Sequence, residues 1–418
     1  MYRGLLSGVA LATLIGCALL WSGVPADAGE VAGPIKFGVA TVLSGDGAAY
    51  GKPFLDAMNA MAAIYNEQGG ILGRRVQVIA YDDRGIPDQA LQVDKKLVES
   101  DHVDTLHPGG TSGCTLTGMP VGKAGRVAMW GDGLSEKWLV EGEGMIFRVV
   151  PPDQVMIRTL AKFAYESKKL RNVGIFHVDS FYGESAKDIF KAEFERLGGS
   201  VPIVATYSEG SRDFSSQLLT LARAKIDGLF LNMQGGAIAP AFRQIKTFLP
   251  PNLTLLHSND VYSEAIRKET GDLINGVYYY LHPGIRQNPD PETQKWLNEM
   301  KKRLGYTHEI HIRVANGMQL MKEALSRAGT TEVIAVMKQV HRLKNFPTPM
   351  GPFTYDPRDG EGLKSGVVLL AKGGEDMSKD EIVFRSTADQ ELYKSRVNYK
   401  QFFGEGYDKE LYAFHGVK

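Results

Sequence analysis

The sequence predicts an α/β protein in which parallel sheets are covered on both faces by helices and the chain divides into two units. Three observations predict this. Apolar, β-rich runs alternate with stretches of helical period, the mark of strand–helix–strand units and of a parallel sheet. The alternation comes as two successive series, with Pro151-Pro152 between them. The chain has 418 residues, 43% hydrophobic and 23% charged, a length well past the size at which one core stops growing. The same composition excludes a disordered chain.

Residues 1–28 are expected to be an export signal rather than part of the fold. Arg3 precedes an apolar run from Leu5 to Val24, and Ala26-Asp27-Ala28 follows as an A-x-A cleavage site, the pattern of a secretory signal peptide. Two alternatives lie in the same stretch. One is an uncleaved anchor helix. The other is a lipoprotein anchored at Cys17, since Leu14-Ile15-Gly16-Cys17 resembles a bacterial lipobox. Cleavage after Ala28 leaves Cys114 as a free thiol, so the core is predicted to hold itself together without a disulfide framework.

In the first series, strands are predicted at Ile35 to Ala40, Val76 to Tyr81, Thr105 to His107 and Val127 to Trp130, with helices at Pro53 to Asn66, Pro87 to Glu99 and Thr115 to Lys123. Period sets the helices: Phe54, Met58, Met61, Ala62 and Tyr65 recur at i, i+3, i+4, as do Ala186, Ile189, Phe190, Phe194 and Leu197 in the second series. After Met145 to Val150, Pro151-Pro152 disfavours helix before it and sets up a helix start after it, which predicts a crossing between units. The second series places strands at Val173 to His177, Val201 to Tyr207, Gly228 to Leu231 and Leu253 to His257. Gly276 to Leu281 leads into helices at Glu292 to Leu304 and Ile310 to Ala328. Gly351 to Tyr355 and Ser365 to Leu370 read as two strands joined by a turn at Asp359-Gly360. The tail from Gly373 is charged and aromatic without a clear period.

Charge narrows the partners. Lys and Arg number 48, as do Asp and Glu, and losing residues 1–28 removes one of each sign, Arg3 and Asp27. A neutral chain lacks the cationic surplus that counterion release from nucleic acid requires. Small molecules and proteins remain as partners.

Ile35 to Gly51 (IKFGVATVLSGDGAAYG), Asn66 to Gly73 (NEQGGILG), Tyr81-Asp82-Asp83 with Gln89-Ala90, and Gly351-Pro352-Phe353 follow one another in an order that resembles the periplasmic solute-binding proteins of branched-chain amino acid ABC transporters. The resemblance covers about residues 35 to 372. It implies two doubly wound, Rossmann-like lobes joined by a three-crossover hinge, the type 1 periplasmic binding protein fold, with the ligand trapped between the lobes. The expected divisions are a signal peptide at 1–28, one lobe from 29–150 plus 282–350, a second from 151–281 plus 351–372, and a C-terminal extension at 373–418 of unassigned role. It further implies a periplasmic, monomeric, non-enzymatic protein without a cofactor, whose partners are a small-molecule ligand and an inner-membrane permease.

Ligands in open α/β sheets sit at the carboxyl ends of strands, where helix N-termini offer unpaired N–H groups to a carboxylate. Gly109-Gly110-Thr111-Ser112-Gly113 has that form, and the family's carboxylate-binding loop matches it at Thr111 and Ser112; the alternative is a plain Gly-rich turn with an N-cap. Tyr50 and Tyr182 fall on the aromatics that cover the ligand from each lobe, against an alternative of core or rim packing. Asp260 falls near the family's acidic partner for the ammonium group, against a helix cap. One departure stands at Gly131-Asp132-Gly133-Leu134-Ser135, where the family's Ala-Thr or Ala-Ser pair is missing and Asp132 intrudes. Asp132 and Ser135 are therefore candidate ligand contacts of a different kind, and Asp132 competes with Asp260 for a cationic group. Trp130 and His107 nearby would suit a flat or aromatic ligand, or simply pack.

The ligand expected from the resemblance is a hydrophobic or branched-chain amino acid. Aromatic acids or amides, and a sensing rather than transporting role, are the alternatives. Enzyme readings fit less well. Gly110-Thr111-Ser112-Gly113-Cys114 lacks the final glycine of a hydrolase nucleophile elbow. Gly45 to Gly51 spaces its glycines wrongly for dinucleotide binding, and His308-Glu309-Ile310-His311 is not a zinc-protease motif but reads as a pair on a helix surface. Asp82-Asp83 is expected to cap a loop.

Overall fold

The computed structural model describes residues 33–45, 47–133, 137–282, 291–306, 308–387 and 396–417. The expected signal at 1–28 lies outside them. In the first lobe, β1 (Ile35–Thr41), α1 (Ala48–Glu67), β2 (Val76–Asp82), α2 (Pro87–Lys95), β3 (Thr105–His107), α3 (Ser112–Ala124), β4 (Ala128–Gly131), α4 (Lys137–Glu141) and β5 (Ile146–Arg148) alternate along the chain. The strands form one parallel sheet in the order β2-β1-β3-β4-β5. Every residue of β3, β4 and β5 is buried, as a sheet covered on both faces demands.

The second lobe continues with α5 (Asp153–Lys162), β6 (Val173–Val178), α6 (Phe181–Arg196), β7 (Val204–Tyr207), α7 (Ser215–Ala222), β8 (Gly228–Asn232), α8 (Ile238–Phe248), β9 (Thr254–His257), α9 (Glu264–Thr270) and β10 (Tyr278–Leu281). The chain then returns through α10 (Pro291–Leu304) and α11 (Glu309–Ala328), which pack on α1, and α12 (Val333–His341), which packs on β4. It crosses once more to β11 (Ser365–Leu370) and β12 (Glu381–Thr387) and ends in α13 (Lys400–Phe403) and α14 (Tyr407–His415). The second sheet runs β12-β11-β10-β9-β8-β6-β7, parallel from β6 to β10 and antiparallel at β11 and β12. Three passages thus join the lobes: β5 to α5, β10 to α10, and α12 to β11. Among the described residues no helix is long and apolar enough to cross a membrane.

Several expectations need correction. Gly351 to Tyr355 is not a strand paired with Ser365 to Leu370. Pro352 lacks the N–H that a ladder needs, and the segment makes only an isolated bridge from Phe353 back to Phe346. Ser365 to Leu370 pairs instead with β10 and with β12 in the tail that showed no period. The predicted start of α3 at Thr115 is too late, because the Thr111 hydroxyl accepts from Cys114 N–H at 3.3 Å and starts the helix at Ser112. Helix α12 was not expected. The tail beyond β12 returns to the first lobe. Tyr399 bonds Tyr355 at 2.9 Å and Tyr407 bonds His341 at 3.2 Å, over the third passage and the end of α12.

The two lobes repeat one local device. Tyr50-Gly51 lies in the first turn of α1, and Tyr182-Gly183 in the first turn of α6, each after the first strand of its lobe. A Cβ at Gly51 would meet the Val42 carbonyl oxygen at 1.9 Å, and one at Gly183 the Val178 carbonyl oxygen at 1.9 Å. Each glycine lets its helix settle on the preceding strand end, which sets the adjoining tyrosine at the sheet's carboxyl edge. In an exposed helix Gly→Ala stabilises by about 1 kcal/mol. Here the sign reverses: Gly183→Ala is expected to lower stability by about 1–3 kcal/mol through overpacking, read from the midpoint of urea denaturation.

Candidate functional site

The carboxyl ends of both sheets face one cleft of about 410 Å³, within the usual range for small-molecule sites. The loops after β1, β2, β3 and β4 line it from the first lobe and those after β6, β7, β8 and β9 from the second, with Arg313 of α11 joining them. Tyr50, Thr111, Ser112, Asp132, Tyr182 and Asp260 all line this cleft. Ser135 lies outside the described residues. Trp130 does not line it; it is fully buried and stacks on Phe54 at 5.9 Å.

Two helix N-termini open on the cleft, each capped by a hydroxyl: Thr111 on α3 and Ser180 on α6. Thr111 Oγ1 is therefore engaged with the helix. Ser112 is buried and its hydroxyl makes no hydrogen bond among the described residues. Asp83 steadies the loop as a cap, its carboxylate accepting from Gly85 N–H at 2.9 Å and Gly110 N–H at 2.7 Å. Tyr182 lends its ring to the cleft and its hydroxyl to Tyr280 at 3.0 Å.

Asp132 is occupied from inside the protein. His107 Nε2 bonds Oδ1 at 3.0 Å, the Tyr50 hydroxyl donates to Oδ2, and Arg313 Nη1 stands 3.6 Å away. Burial pushes its carboxyl up, but the bond from His107, the Arg313 charge and the Tyr50 bond outweigh this and hold it at about 2. Tyr50 moves the other way, raised well above its ordinary value by burial and the Asp132 charge. Among the described residues Asp260 has only Ser258 Oγ, at 3.1 Å, as a side-chain partner, and burial lifts it to about 6 against the pull of Arg313.

The sequence reading missed the centre of this arrangement. Arg313 is 3% exposed, and Nε and Nη2 donate to the Glu309 carboxylate at 2.8 and 2.7 Å. Asn259 Nδ2, from the second lobe, donates to Glu309 at 3.3 Å. Burial raises Glu309 to about 7, with Arg313 opposing and the Asp260 and Asp132 charges adding. His308-Glu309-Ile310-His311 is thus not a surface pair: all four are buried, and burial lowers His308 to about 3 and His311 to about 4. The available signal was a Glu and an Arg four apart inside Glu309 to Ala315, a run with no solvent-facing side.

The family model for periplasmic binding proteins matches residues 34–375. A Leu/Ile/Val-binding protein homolog of Brucella abortus is 24% identical over 380 residues, 90% of this chain and 98% of that protein. Among solved structures, a leucine-binding protein from Thermotoga maritima superposes with a TM-score of 0.77 at 20% identity, covering 85% of this chain and 99% of the other. A Rhodopseudomonas palustris ABC-transporter solute-binding protein in complex with benzoate gives 0.76 at 17% identity, covering 86% and 98%.

The low Asp132 value carries a stability consequence. A carboxyl held near 2 when folded, against an ordinary 3.8, contributes stability that is present above about pH 4 and lost as pH falls through 2. Between pH 6 and pH 2 the protein is expected to lose about 2 kcal/mol more than Asp132→Asn does, measured by urea unfolding at each pH.

Proposed function

The chain belongs to the periplasmic binding protein family, and from that premise we propose that it captures an amino acid between its lobes and delivers it to an ABC permease by hinge closure. The family acts outside the cytoplasm as non-enzymatic solute binders of ABC transport. The proposal extends this to export by residues 1–28 and to a monomer that presents its closed form to the permease.

One observation carries the ligand reading. Asp260, on the second lobe, is a half-buried carboxylate lining the cleft and, among the described residues, has no cationic partner in hydrogen-bond range. Across the cleft, the first lobe offers the α3 N-terminus and the unengaged Ser112 hydroxyl. A helix N-terminus favours a carboxylate and Asp260 favours an ammonium, so one zwitterion satisfies both lobes only when they are together. A ligand that bridges two lobes stabilises the closed arrangement by its differential contacts. Asp132 is the weaker candidate for the ammonium, because His107, Tyr50 and Arg313 already surround it.

A second reading is an aromatic acid. Tyr50, Phe181, Tyr182 and Tyr207 line the cleft, and the Rhodopseudomonas palustris relative holds benzoate. The two readings differ in their need for Asp260. Asp260→Asn is expected to weaken amino acid binding by well over tenfold, since truncating one member of a desolvated charge pair costs about 2–5 kcal/mol. Isothermal titration calorimetry checks this, and unchanged affinity for an amine-free acid favours the aromatic reading.

The pH dependence has a definite sign. Burial pushes the Asp260 carboxyl up to about 6, and only its ionised form pairs with an ammonium. Affinity for an amine-bearing ligand is therefore expected to hold from pH 8 to 7 and to fall below pH 6, toward tenfold for each further unit. Asp260→Asn is expected to flatten that fall.

A further inference from the structure

The amino acid reading leaves one donor on the cleft floor unused, and that donor bears on which amino acid fits. Arg313 gives Nε and Nη2 to Glu309, while Nη1 lies 3.6 Å from its nearest described carboxylate oxygen, Asp132 Oδ2. That is too long for a hydrogen bond, and Oδ2 already accepts from the Tyr50 hydroxyl. The side chain is 4% exposed and lines the cleft. Nη1 is thus a nearly buried donor, held in place by a bidentate pair, on a residue that lines the cleft.

We propose that Arg313 Nη1 selects an amino acid whose side chain carries a carbonyl oxygen, a carboxamide or a carboxylate, over a branched aliphatic one. This rests on the reading in which Asp260 and the α3 N-terminus hold the ammonium and carboxylate. An aliphatic side chain closed into the cleft expels water from Nη1 and returns no acceptor, leaving a buried charged donor unpaired. Sites built to hydrogen-bond a group reject analogues that lack it far more strongly than apolar pockets reject a missing methylene.

The walls agree independently. Arg84, Asp179, Glu209, Arg212 and Gln234 line the cleft beside Tyr50, Phe181, Tyr182 and Tyr207, so a side chain with an apolar stem and a polar end finds partners for both. Arg313 itself stands among Glu309, Asp132 and Asp260, so it acts as an oriented donor rather than as a free cation. A neutral carboxamide meets that requirement as a carboxylate does, and the two are separated by experiment.

The test is isothermal titration calorimetry of the purified protein with L-glutamine, L-glutamate and L-leucine, on the unaltered chain and on Arg313→Lys and Arg313→Met. The unaltered protein is expected to bind glutamine or glutamate at least about tenfold more tightly than leucine, and whichever binds better names the oxygen's source. Arg313→Lys keeps a charge beside Glu309 but loses Nη1, and the preference is expected to shrink toward unity. Arg313→Met is expected to do the same if it unfolds cooperatively in the absence of ligand. Leucine binding as tightly as both polar amino acids in the unaltered protein overturns the proposal, with no variant needed. So does a preference unchanged in Arg313→Lys. Binding of leucine that depends on Asp260 leaves the amino acid reading standing while Arg313 selection fails. Binding of none of the three, with 4-hydroxybenzoate bound instead, overturns both.

Discussion

A guanidinium taken out of water must be paired, and the floor of the cleft is arranged to meet that demand for Arg313. Desolvating each ion costs several kcal/mol, recovered only when geometry is good and remaining polar atoms are bonded. Glu309 meets two nitrogens from one turn away on α11, and Asp132 approaches from the end of β4. Asp132 in turn is fixed by His107 from β3 and Tyr50 from α1. Four elements of the first lobe are thereby tied to one charge, and Asn259 extends the tie to the second lobe through Glu309. Removing any one member leaves another buried charge exposed to its neighbours, so the cluster behaves as a unit.

Around this floor, the lobes meet the ligand space with parallel means. Each uses a Tyr-Gly pair to bring a helix hard against a strand end, and each turns a hydroxyl-capped helix N-terminus to the cleft. A second buried pair ties two of the passages together: Arg148 at the end of β5 meets Glu361 on the third passage at 3.1 Å, under the Trp138 ring. The C-terminal tail adds a further layer to the same passage: Tyr399 bonds both Tyr355 and the Pro357 carbonyl. The passages between the lobes are therefore themselves well packed.

Much of the fold was legible because parallel strands are short apolar runs and the helices between them keep a 3.6 period. The runs at Ile35, Val76, Val173 and Gly228 announce themselves this way. Strand β12 did not, since an edge strand alternates with polar residues and shares its composition with a loop: Glu381, Val383 and Arg385 are exposed. The cleft residues Tyr50, Ser112, Tyr182 and Asp260 could be placed because they follow strand ends in a recognised order. Arg313 and Glu309 could not, since they come from a helix that reaches the cleft only after the second passage between lobes. Nothing local to α11 tells which of its faces meets Asp132, more than 170 residues earlier in the chain.

Capture between lobes is tested most directly by a crystal structure of the protein with its bound solute. The geometry predicts one solute touching both lobes at once, its anionic end at Ser112 and the α3 N-terminus and its cationic end on Asp260. A solute seated on a single lobe, or outside this cleft, would contradict it.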